Sequence, residues 1–162
     1  LDQLTGITAR ALSPGINDPY TAIDTIHWMG AALGVAGRAP APATVRRDED
    51  GHIRVIAKPV TFPELADLVF DRIRPYVSAD PNATLAMLTV IGDILFDIER
   101  RDFREALVTE ARRLRDACDE RLGSAQDLGT VHQRVTDLEA CLRNDIDRFR
   151  AGERYRWLEG RA

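Results

Sequence analysis

Ser13-Pro14-Gly15-Ile16-Asn17-Asp18-Pro19-Tyr20-Thr21-Ala22 sets two prolines, a glycine and an Asn-Asp pair between two apolar helical segments, and its reading decides the fold. Asp18 before Pro19 has the form of an N-cap and first helical residue. The carboxylate can accept from the unpaired amides of the next turn, and proline has no amide to leave unpaired. A helix is expected to start there. Pro14 disfavours helical geometry at Ser13 and Gly15 can supply a positive φ, so the preceding helix is expected to stop near Leu12. The stretch is therefore a tight helix-loop-helix corner.

On the N-terminal side, Leu1, Leu4, Ile7, Ala11 and Leu12 recur at helical spacing and are expected to face the core. On the other side, Ile23, Ile26, His27, Gly30, Leu33 and Gly34 form the next stripe, and Gly30, Gly34 and Gly37 weaken that helix while allowing close helix approach. The run Arg38-Ala39-Pro40-Ala41-Pro42-Ala43 cannot continue a helix and reads as an extended connector. Short, partly alternating segments from Ala43 to Arg47 and from His52 to Ala57 flank Asp48-Glu49-Asp50-Gly51, a hairpin signal. Two strands alone are marginal, so this hairpin is expected to lie against the helices.

Thr61 with Glu64 has the form of a capping box opening a helix with Phe62, Leu65, Ala66, Val69, Ile73, Tyr76 and Val77 inward, which Pro75 should end or bend. Asp80-Pro81 repeats the cap and proline pairing and opens the central, most buried helix, through Leu85, Leu88, Ile91, Leu95 and Ile98. Asp102 with Glu105 is expected to cap the next, which carries Phe103, Leu107, Ala111, Leu114, Cys118 and Leu122 against a charged back. Leu128, Val131, Val135, Leu138, Leu142, Ile146 and Phe149 then keep a near three-four repeat, a stripe suited to a helical core or to self-association. Residues 1–150 are expected to form a single helical domain and residues 151–162 a loosely ordered tail. The fold class is mainly α, a bundle of five or six helices with one small inserted β-hairpin.

The 162 residues are 44% apolar, enough for one core, and the net charge of −4 is spread along the chain, which argues against a nucleic-acid partner. Two cysteines in helical patterns are too few for a disulfide framework and favour a reducing compartment. No apolar run is long enough to span a bilayer. The chain begins at Leu1-Asp2 already in a helical pattern, which predicts a piece of a longer protein.

The stretch from Arg10 to Ala22, with Asp24, the segment Ile53 to Lys58, and Phe62 to Tyr76 containing Phe70-Asp71-Arg72-Ile73-Arg74, resembles a bacterial family of predicted integral membrane proteins catalogued as domain of unknown function twenty-two fifty-four. The resemblance covers about the first hundred residues. It implies a region that follows several transmembrane helices, hence an extramembrane C-terminal domain of an inner-membrane protein, with its own N-terminal transmembrane region as partner. It brings no established activity.

Candidate chemistry has two locations. Ser13, Asn17, Asp18, Tyr20 and Thr21 gather hydrogen-bonding groups at a helix N-terminus, where an anionic small molecule can bind, though the same residue types cap helices and satisfy corners. Tyr20, Asp24 and His27 share one side of the following helix, and Asp24 with His27 can relay a proton or bind a metal; a carboxylate that merely orients an imidazole is the structural alternative. The three histidines lack paired metal-site spacing, so no metal and no cofactor is expected. Arg46-Arg47, Arg100-Arg101 and Arg112-Arg113 read as solvated faces. The expected function is a non-catalytic extramembrane domain, cytoplasmic in exposure, that senses a ligand or assembles subunits, with Leu128 to Phe149 as the contact of a homo-oligomer. A hydrolase or proton-transfer enzyme using Asp24 and His27 is the alternative.

Overall fold

The computed structural model of the chain describes residues 1–40 and 43–143. Six helices and one two-stranded hairpin are found there: α1 (Asp2–Ala11), α2 (Pro19–Arg38), β1 (Val45–Arg47), β2 (Ile53–Ile56), α3 (Phe62–Val77), α4 (Pro81–Asp97), α5 (Arg101–Asp119) and α6 (Ala125–Arg143). The mainly α class with an inserted hairpin is as the residues predict.

Helix starts follow local chemistry. Asp18 accepts from the Thr21 amide at 3.1 Å and Asp80 from the Ala83 amide at 2.8 Å, each followed by proline in the first turn. Thr61 and Glu64 form the reciprocal capping box. The exceptions are α1, which starts from Leu1 without a side-chain cap, and α5. α5 begins at Arg101 with no side-chain cap, and Asp102 lies inside the first turn, accepting from the Arg100 guanidinium at 2.6 Å. Packing sets this start: Arg100 sits 3.7 Å from the centroid of the Phe103 ring, which stacks on Phe62 at 4.5 Å.

α4 is the centre, touching α2, α3, α5 and α6, with Met87, Leu88, Val90, Ile91, Ile94 and Leu95 buried. Each such side chain contributes about 1.5–3 kcal/mol on full burial. α2 reaches it closely because Gly30 and Gly37 lack a Cβ: one on Gly30 would overlap Val90, and one on Gly37 would overlap Ile98. α2 nevertheless continues through its three glycines to Arg38. Pro75 falls in the last turn of α3, and the helix ends two residues on, at Val77.

Several faces differ from expectation. On α1 the buried residues are Thr5, Thr8 and Ala11, while Ile7 is exposed. The Thr8 and Thr25 hydroxyls meet at 2.7 Å in the α1–α2 contact, and each also approaches a carbonyl of its own helix, so their polarity is satisfied inside. His27 of α2 and Tyr76 of α3 turn outward, and Phe70 is buried instead. All seven strand residues of the hairpin are exposed, so it does not lie against the helices. Its own turn holds it. Asp48 accepts from the His52 amide at 2.8 Å and from Arg54 Nε at 2.7 Å, and Gly51 takes φ +83. In the α6 stripe expected as a helical core or an oligomer seam, Val131, Val135 and Leu138 are fully buried in the contact with α5 and α4, and Leu128 and Leu142 are partly buried. Ile146, Phe149 and the tail expected over 151–162 lie outside the described residues. Cys118 and Cys141 are buried and not in a disulfide, and burial pushes the Cys118 thiol up.

Candidate functional site

The corner closes largely on itself. The Asp18 amide donates to Ala11 O at 2.8 Å, the Ile16 and Asn17 amides donate to Ser13 O at 3.0 and 2.9 Å, and Ser13 Oγ donates to Arg10 O at 2.7 Å. Asp18 takes the Thr21 hydroxyl at 2.6 Å as well as the Thr21 amide, and these bonds hold its carboxyl below the usual carboxylate range. Ser13, Asp18 and Thr21 are thus tied into the turn. The left-handed residue is Asn17, at φ 49, and not Gly15. Asparagine tolerates that region because its short side chain can bond locally. Tyr20 is 81% exposed.

From Tyr20 the outward face of α2 continues through Asp24, His27, Trp28, Ala31, Val35 and Arg38, all exposed. Trp28 is 69% and Val35 62% exposed, large values for apolar side chains on one helix. Beside this face a cleft of about 420 Å³ runs between α2 and α4, lined by His27, Ala31, Gly34, Arg38, Asp93 and Asp97 among others. Arg38 bridges to Asp97 at 3.2 Å across it. Asp24 is not among the lining residues, so the cleft holds His27 without the carboxylate that proton relay from this pair requires.

At the hairpin tip Asp48, Asp50 and His52 bring their ligand atoms within 4.8 Å of one another. Asp48 already bonds within the turn, and the Arg54 guanidinium occupies the electrostatic place of a cation.

Sequence reasoning missed the buried charges. Glu110, 1% exposed, accepts from Arg74 at 3.0 Å and from Arg113, while Arg113 also reaches Asp67 at 3.1 Å and Arg74 also binds Asp71. Burial pushes the Glu110 carboxyl up to about 7, against the pull of the Arg113 and Arg74 guanidiniums. Arg104, likewise buried, donates to the Cys141 carbonyl at 2.7 Å and ties α5 to α6. The signal was present: Glu110 sits three residues after Leu107 and four before Leu114, on the apolar side of α5.

Among the described residues no helix is long and apolar enough to cross a membrane. No solved structure matches the chain. Uncharacterized proteins of Mycobacterium bovis and Mycobacterium tuberculosis are 35% identical to it over 104 residues, which cover 62% of this chain and 20% of theirs. The match thus spans about a fifth of the length of these curated relatives. The sequence profile of the family described as predicted membrane protein (DUF2254) matches residues 1–93, from α1 through the corner, α2, the hairpin and α3 into α4, and the chain belongs to that family.

Proposed function

We propose that this chain is a non-catalytic extramembrane domain, on the cytoplasmic side, whose work is protein assembly for its membrane protein. The carrying observation is the outward face of α2, where Trp28 and Val35 stay largely exposed while Ile26, Met29 and Leu33 of the same helix are buried. An aromatic and a branched aliphatic residue kept in water on one helix face suit a protein contact. Ligand sensing at the corner has less support, because Ser13, Asp18 and Thr21 bond within it. The enzyme alternative has less again, since Asp24 lies outside the cleft that His27 lines. Two buried cysteines outside any disulfide suit a reducing compartment.

The test uses the protein in its membrane. A photoreactive side chain at Val35 is expected to join a polypeptide of the same membrane protein, identified by mass spectrometry of the adduct. Adducts with lipid alone, or none, overturn the reading.

A further inference from the structure

We propose that the occupant of the α2 outer face is the α2 of a second copy of this chain, antiparallel to the first, about a two-fold axis at Ala31. The proposal deepens the assembly function and rests on it. Helical periodicity puts Asp24, His27, Trp28, Ala31, Val35 and Arg38 on one side, while Ala22, Ile26, Met29 and Leu33 are buried on the opposite side. Ala31 stands at the centre of the exposed face, and only a methyl group projects there. Small residues at a crossing let helices approach to about 8 Å.

An antiparallel two-fold places residues equally far before and after Ala31 at the same height, and the sequence is complementary under that operation. Asp24 lies seven residues before Ala31 and Arg38 seven after it, so each carboxylate meets the other copy's guanidinium, twice per dimer. Arg38 is half exposed in its bridge to Asp97, which leaves its guanidinium able to span both acids. Trp28 and Val35 lie on the same flank of the helix, three residues before and four after Ala31, so under the two-fold each Trp28 covers the other copy's Val35. On the opposite flank His27 falls beside Gly34, which carries no side chain and has the Arg38 guanidinium as its neighbour. An isologous contact of this kind is self-complementary and closed, so it stops at two copies. The face carries acid and base in balance and the chain is net negative, which disfavours an anionic lipid surface as occupant.

Ala31→Cys provides the direct test, because a residue on the axis faces its own copy within disulfide reach. Under mild oxidation the variant is expected to form a covalent dimer in high yield, and the wild-type chain, with both native cysteines buried, none. In sedimentation equilibrium the wild-type chain is expected at twice its monomer mass, and Asp24→Arg is expected to weaken the dimer at least about tenfold. Adding Arg38→Asp to Asp24→Arg should restore it. Circular dichroism melts exclude unfolding as the cause. A dimer that neither cross-links through position 31 nor responds to the charge swap overturns this geometry and leaves the assembly function standing. A monomer at all concentrations also overturns it; if the Val35 adducts are then absent too, the assembly function falls with it. Co-sedimentation of the wild-type chain with phosphatidylglycerol vesicles, lost in Trp28→Ala, assigns the face to lipid and overturns the proposal.

Discussion

The Ser13–Ala22 corner and the cluster around Glu110 are both networks of polar and charged side chains, but the corner closes within a few residues while Arg74 reaches Glu110 across 36 residues of chain. In the corner, donors and acceptors lie at the surface, so each bond replaces a bond to water and contributes modestly. Around Glu110 the carboxyl has lost its water, and the two guanidiniums are what make its burial tolerable. Locality therefore separates a motif that can form by itself from one that exists only once α3 has docked on α5.

The difference is broken or sharpened first by Arg74→Ala. This change removes one partner of a carboxyl with no water to replace it and is expected to cost about 3–5 kcal/mol at pH 8. Denaturant unfolding measures it, and a loss under about 1 kcal/mol would put the cluster in the same class as the corner.

The next effect is on pH dependence. With its folded pKa raised from 4.5 to about 7, Glu110 holds a proton in the folded state that the unfolded chain has released. Its contribution is fully present below pH 4.5 and is lost as pH rises through 7, a fall of about 3 kcal/mol. Glu110→Gln should flatten the profile over this window. Glu64 runs the other way: its carboxyl is held at about 2, so its contribution is lost as pH falls below 4.5, outside the window. Equilibrium unfolding at half-unit pH steps tells the two apart, and a slope that Glu110→Gln leaves unchanged assigns it elsewhere.

Smallest is Asp18→Ala, expected to destabilise by about 1 kcal/mol as the loss of one helix cap. Pro19 still favours the start of α2. An unchanged melting midpoint would mean that the corner does not depend on its cap.

What was legible followed the same division. The caps at Asp18, Thr61 and Asp80, the Asp48 to Gly51 turn and the central position of α4 depend on neighbours in sequence and on periodicity, and they stand where the residues predicted them. Asp102 was misplaced because the start of α5 answers to Phe103 packing on Phe62, a contact between distant residues. Thr5 and Thr8 were overlooked as core because an apolar count cannot see that a hydroxyl has found a partner on another helix. The hairpin's exposure was missed because strand pairing says nothing of what covers the sheet. For the site, spacing showed that Tyr20, Asp24 and His27 share one side of α2, but His27 was also counted in the apolar stripe, and its outward position came from the packing. Trp28, one residue further on, was not legible as a contact because it carries no titratable or ligating group to mark it.

The two glycines of α2 that face α4 have a mechanical consequence. Gly30 locks against Val90 and Gly37 against Ile98, while at the other end Thr25 is fastened to Thr8 and Asp18 to Ala11. α2 is therefore held at four points along its inner edge, so that turning it about its own axis would break all four contacts at once.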